Sequence, residues 1–283
     1  MKPVAVDYVM AAYLTVTGVL AVTGGGAAGA ALAFVHTLGV LGVAFLARLP
    51  MPAGSLRRFL RFAYPLALTP LLYLELATLN QLHVGGYFDL VVQRWEETLF
   101  GVQLSVVAAE RLPSLAISEA LHLGYFSYYM LIPVACVGAY VARGARALER
   151  VAFATVLGFF VCYLCFSVFP VAGPRYEFPT IEGPPSEGLL FGLVHRILEG
   201  GSSKGTAFPS SHVAATASAW LAAGRETRRV FWIMAPFAVS LVLGTVYGRF
   251  HYGIDAAVGL VIAILAFATA PWLMRRLEDG PQV

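Results

Sequence analysis

Charged side chains are scarce in this chain: Asp, Glu, Lys and Arg supply 12% of its 283 residues, about half the share found in soluble domains. Cysteine is scarcer still. Cys136, Cys162 and Cys165 are the three examples, and all lie in apolar stretches, so neither a disulfide framework nor a thiolate zinc site is supported. The net charge of +3 is small and dispersed, which excludes an extended basic surface for nucleic acid. A repeat of fixed period is lacking too. What abounds is apolar, at 59% of positions against roughly 45–50% in soluble domains. An all-α, polytopic membrane protein is expected.

Apolar runs of the length that crosses a bilayer as a helix, about 20 residues, occur near 5–23, 27–47, 62–84, 115–142, 151–169, 208–223, 230–248 and 254–273. About eight transmembrane helices are predicted. The first run could be taken for a signal peptide, but Asp7 and the second run directly after it weaken that reading. Of the Lys and Arg outside the runs, 13 fall on the side of the N-terminus, including Lys2, Arg57, Arg58, Arg61, Arg146 and Arg150. Six fall opposite: Arg94, Arg111, Arg175, Arg196, Lys204 and Arg249. The bias of basic residues toward the cytoplasm then places both termini there, in the plasma membrane as the expected location.

The expected organisation is a pair of helices and a basic cytoplasmic loop over 1–61, a six-helix core over 62–273, and a cytoplasmic tail over 274–283. Two extracytoplasmic loops, 85–114 and 170–206, are long enough to hold structure. In the first, Phe88, Val91, Val92, Trp95 and Leu99 recur at helical spacing; in the second, Leu189, Leu190, Leu193, Val194, Ile197 and Leu198 do so before a Gly200-Gly-Ser-Ser-Lys204 turn. Both read as amphipathic helices in the membrane interface that roof a site.

Chemistry concentrates in Phe208-Pro-Ser-Ser-His212 and Arg249-Phe-His-Tyr-Gly-Ile-Asp255, where ionisable groups stand at the edges of apolar runs and so carry a cost that function has to offset. Pro209 suits the first turn of a helix, whose free N–H groups attract a phosphate, with Ser210 and Ser211 as hydroxyl donors and His212 as a proton donor. His251 and Asp255, four residues apart, fall on one helix face. The carboxylate can hold one ring nitrogen and leave the other as a nucleophile toward phosphorus. Arg249, Arg175 and Lys204, on the same side of the membrane, can neutralise phosphoryl oxygens.

This constellation resembles the type 2 phosphatidic acid phosphatase superfamily, whose signatures hold an Arg, a Pro-Ser-x-His element and a His-x-x-x-Asp element. Phe169-Pro-Val-Ala-Gly-Pro-Arg175, the Phe-Pro-Ser-Ser-His form of the second signature, the Arg-x-His-Tyr-x-x-Asp form of the third, and the stretch from Phe88-Asp-Leu to Leu99-Phe-Gly101 are most similar to its inositol phosphorylceramide synthase branch. Two positions depart from the phosphatase pattern: Val168 stands where those enzymes have a Lys, and Thr245 where they have an Arg. Lys204 is a substitute by position. The resemblance implies a six-helix core and His251 as nucleophile with Asp255 as its partner. It also implies His212 as acid and a phosphohistidine intermediate, with no metal or other cofactor. A lipid headgroup phosphotransferase leads; a lipid phosphate or diphosphate phosphatase, with water as the acceptor, is the alternative. A proton-coupled transporter fits worse, because the ionisable cluster is confined to one half of the chain. The partners implied are a membrane lipid with a phosphate-containing headgroup and a lipid alcohol or water.

The remaining polar residues read as structural. His36, His83, His122 and His195 suit packing or interface contacts, Glu119 the interface, and Glu75 a buried pairing with Asn80 or Gln81. Tyr125, Tyr128 and Tyr129 suit an aromatic belt.

Overall fold

The computed structural model describes residues 3–50, 52 and 56–279. Lys2 and tail residues 280–283 lie outside the described residues. α1 (Ala5–Gly24) and α2 (Gly26–Leu46) form a hairpin turned at Gly25, and α3 (Leu56–Leu79) follows. Two short helices come next, α4 (Asp89–Phe100) and α5 (Leu104–Arg111), then α6 (Leu115–Phe126), α7 (Tyr128–Arg143) and α8 (Ala145–Val168). α9 (Pro174–Glu177), a single 3-10 turn and α10 (Leu189–Gly201) precede the last three helices, α11 (Ser211–Glu226), α12 (Arg228–Tyr247) and α13 (Gly253–Asp279). Among the described residues the sole extended pairing is one isolated bridge between Val171 and Thr206.

Among the described residues six helices are long and apolar enough to cross a membrane: α1, α2, α3, α8, α12 and α13. The 115–142 run is not one straight helix, because α6 and α7 meet at a 48° bend; counted as one span they make a seventh. Pro133 lies in the second turn of α7 and denies the Tyr129 carbonyl its usual partner, a local cause for such a bend. The expected eighth span is α11, and at 16 residues it falls short of that length. It is the centre of the bundle instead, packed on α7, α8, α12 and α13. Its sequence explains this: six Ala and one Gly in 16 positions let neighbouring helices approach closely, as small residues do in membranes.

The α1–α2 hairpin is fastened to this bundle by polar pins. Asp7 is paired with Arg61 of α3 and also accepts from the Tyr64 hydroxyl at 3.0 Å. His36 meets both Glu75 oxygens at 3.0 Å. Glu75 therefore pairs with His36, not with Asn80 or Gln81 as expected; Asn80 bonds the Lys204 carbonyl instead, at 3.0 Å. Both predicted loop helices are present as α4 and α10, with α10 running on through Gly201 where a turn was expected. Glu119 receives the first-turn N–H groups of Leu190 and Phe191 at 2.9 and 3.0 Å, so it anchors α10 and does not simply face the interface.

Candidate active site

The beginnings of α11 and α13 and the loop after α8 converge at one end of the bundle. Ser210 starts α11 as its cap, accepting from the Val213 N–H at 3.3 Å. Pro209 thus stands just outside the helix, two positions before the first helical residue, Ser211. Ser211 is buried at the first helical position, and His212 follows in that turn. The first-turn N–H groups of any helix lack carbonyl partners within it.

His251 lies in the turn before α13, so it and Asp255 do not share a helix as the four-residue spacing implied. Asp255 sits in the first turn and accepts from the Tyr252 N–H at 2.8 Å, closing the helix start. Its Oδ2 is 3.5 Å from His251 Nδ1. A nearer partner for that nitrogen is the Ala207 carbonyl, at 2.9 Å. A carbonyl has no proton to give, so Nδ1 carries the hydrogen and Nε2 keeps its lone pair. Nε2 is 3.4 Å from His212 Nδ1. Burial, followed by the neighbouring His212, pulls His251 down to about 3, so the ring is neutral at ordinary pH.

Both imidazoles line a cavity of about 40 Å³ together with Arg175, Tyr176, Tyr73, Tyr125, Thr206, Phe250 and the Ser202–Ser203 turn. Arg175 Nη1 is buried with no hydrogen-bond partner among the described residues, an arrangement that costs free energy unless an acceptor arrives. Lys204 is exposed; its Nζ sits 4.7 Å from the Tyr87 ring and 5.2 Å from that of Tyr176, one ring away from the cavity. Arg249 is not brought to the cavity. Its guanidinium serves the carbonyls of Ser105, Val106 and Pro179 and lies 3.6 Å from Glu110.

The loops that carry these groups are held by backbone pairing. The Ala207 N–H donates to the Val171 carbonyl at 2.9 Å. Gly205, at φ 91°, has room for no side chain, since a Cβ would come within 2.2 Å of Asn80 Nδ2. Tyr73 reaches the same loop, its hydroxyl 2.9 Å from that of Thr206.

Sequence reading missed Tyr73 and Thr206, and it misplaced Tyr125 and Tyr128. The Tyr125 hydroxyl is 3.3 Å from His212 Nε2, and the Tyr128 ring packs 4.5 Å from the His212 ring. Their signal was position: both fall in an apolar run predicted to start on the same membrane face as His212.

A buried imidazole with a lone pair on Nε2, a second imidazole 3.4 Å from that nitrogen and a guanidinium with an unpartnered Nη1 can bind an anionic ester and move a proton. Comparison with curated proteins and with solved structures gave no match. A family model described as PAP2 superfamily matches residues 92–269, more than half of the chain. The matched stretch runs from α4 into α13, encloses Arg175, His212, His251 and Asp255, and leaves the α1–α2 hairpin outside, so this chain belongs to the PAP2 superfamily.

Proposed function

We propose that this chain is a lipid phosphotransferase that moves a phosphate-linked headgroup from one lipid to the alcohol of another through a phosphohistidine on His251. Superfamily membership supports a lipid phosphatase or phosphotransferase type of function; the transfer reading goes further. The observation that carries it is the Ala207 carbonyl at 2.9 Å from His251 Nδ1, which fixes the tautomer and leaves Nε2 facing the cavity shared with Arg175 and His212.

The lone pair of His251 Nε2 attacks phosphorus and forms a P–N bond, while the P–O bond to the donor lipid's alcohol breaks. His212, which takes up a proton as the anionic phosphate binds beside it, gives that proton to the departing oxygen. The acceptor alcohol then loses its proton to His212 and attacks phosphorus, and the P–N bond breaks, restoring His251. Arg175 Nη1, buried and unpartnered, supplies charge to the phosphoryl oxygens; the α11 N-terminus, with Ser211 in its first turn, adds N–H donors. Asp255 at 3.5 Å favours the positive charge that the imidazole acquires while phosphorylated. On this reading Ser210, Arg249 and Lys204 act around the site. Ser210 caps α11, Arg249 braces the loops, and Lys204 lies one ring out, where headgroup phosphates approach.

One feature favours an alcohol over water as the acceptor: Leu198, Phe250, Tyr73 and Tyr125 wall the cavity. Both termini are cytoplasmic on this reading, and the site faces the other side of the membrane.

The test uses purified protein in mixed micelles with a phosphodiester lipid and a lipid alcohol. Products are followed by mass spectrometry, with inorganic phosphate assayed in parallel. Headgroup transfer to the alcohol is expected to outrun release into water. Rapid phosphate release from monoester lipids, with no transfer to any alcohol tried, would assign hydrolysis instead.

A further inference from the structure

α4 reaches all three segments that carry the site. The Phe88 N–H donates to the Pro170 carbonyl at 2.8 Å. Phe88 and Trp95 stack on Phe169 at 4.4 and 5.7 Å between ring centroids, and Trp95 meets Phe208 edge-on at 5.7 Å. Glu96 accepts from Leu104 N–H at 2.7 Å and Ile254 N–H at 3.2 Å.

Asp89, 3% exposed, makes the bonds that bear on chemistry. One oxygen accepts from the Ala172 N–H at 2.8 Å; the other accepts from the Gly173 N–H at 2.8 Å and the Tyr252 hydroxyl at 3.0 Å. Burying a carboxylate is costly even when it is fully bonded, and anchoring a loop by apolar contact is the cheaper route. What the carboxylate adds is direction. Beside Ala172 is Val171, whose carbonyl receives the Ala207 N–H, and the Ala207 carbonyl in turn receives His251 Nδ1–H. Two residues beyond Gly173 is Arg175. Asp89 also lies outside the residues that the family model matches, which begin at 92.

We propose that Asp89 is a positioning residue for the transfer step. By holding the 172–173 backbone it places the Arg175 guanidinium, and through the Val171–Ala207 pairing it sets the carbonyl that keeps the proton on His251 Nδ1. The assignment rests on the reading of His251 as the nucleophile.

Asp89→Asn keeps the shape and turns an NH₂ toward a backbone N–H. A misplacement on the order of 1 Å costs about 10²-fold, so kcat is expected to fall ~10–100-fold while KM for the lipid stays within about twofold. Nitrogen NMR of histidine-labelled protein reads the ring directly: the variant should show His251 as a mixture of tautomers where the unaltered protein shows Nδ1–H alone. Tyr252→Phe removes one donor to Asp89 with little threat to folding, and is expected to lower kcat about fivefold, the worth of one hydrogen bond. A lowered melting temperature with kcat and the ring signals unchanged in both variants would make Asp89 a structural bond only and overturn the proposal. Turnover that survives in His251→Ala would instead remove the nucleophile reading, and the ring signals, which need no turnover, separate the two failures.

Discussion

Among the described residues two histidine–carboxylate pairs stand largely out of solvent, and their difference bears on what would separate a pin from the proposed nucleophile. His36 and Glu75 join α2 to α3 and are the tighter pair, with both carboxylate oxygens 3.0 Å from Nε2. The other nitrogen of His36 faces the Thr17 hydroxyl, also at 3.0 Å. Both ring nitrogens are taken, and the groove of about 400 Å³ beside this ring is walled largely by apolar residues such as Leu14, Val19, Val40 and Leu41. His251 stands 3.5 Å from Asp255, yet its Nε2 looks into a cavity with a second imidazole and an unpartnered guanidinium. Closeness of a carboxylate is the same mark on both rings; what differs is that His251 Nε2 faces a second imidazole at 3.4 Å and a cavity with an unpartnered Arg175 Nη1.

The strongest way to break this contrast is to remove each ring. His251→Ala is expected to lower kcat by ~10⁴ or more, as loss of a nucleophile does, with the protein still folded by thermal melting. Retention of activity there, with loss in His36→Ala, would reverse the assignment. His212→Ala should cost ~10²–10⁴ in rate, read in the same transfer assay, and its product pattern sharpens the comparison. A variant that forms phosphohistidine and releases the donor alcohol equally slowly, and recovers both with a donor whose leaving alcohol needs no protonation, such as a nitrophenyl ester, identifies His212 as the acid.

Acidity tests how dry the free nitrogen is. Burial holds the folded pKa of His251 at about 3, below that of a solvated histidine, about 6.5, so the reactive neutral form persists as pH falls from 7 to 5. The pH profile of kcat/KM in His212→Ala should therefore stay flat across that interval. A fall centred near pH 6.5 would show His251 to be as solvated as a free imidazole. The smallest effect on turnover is expected from His36→Gln. Distant sites act independently, so activity should stay within about threefold, while breaking a buried pair costs ~3–5 kcal/mol of stability, visible as a lower melting temperature.

Much of this arrangement was legible in the chain itself, because His212, His251 and Asp255 belong to short motifs whose geometry is local. Membrane spans were equally plain wherever an apolar run met the length rule, and α11 escaped that rule because its Ala-rich sequence is buried among helices and need not match a bilayer. The partners that pair across the fold were invisible. Tyr125 comes to His212 from 87 residues away and His36 to Glu75 from 39, and no spacing in one strand of text encodes such meetings. Arg249 misled for a related reason. Its place beside His251 in sequence says nothing of its direction, and its φ of 57° turns its side chain toward carbonyls of the neighbouring loops.

The brevity of α11 has a consequence for where the reaction occurs. Sixteen residues rise about 24 Å, less than the roughly 30 Å of a bilayer's hydrocarbon. Under the proposed function, and with the last turn set at one boundary, the first turn would stop several ångströms beneath the other, with His212 at that depth. A lipid phosphate then has only to dip below its neighbours to meet the two imidazoles, its chains never leaving the oil. Encounter becomes a search in two dimensions, governed by the mole fraction of substrate in the membrane and indifferent to the volume of water outside.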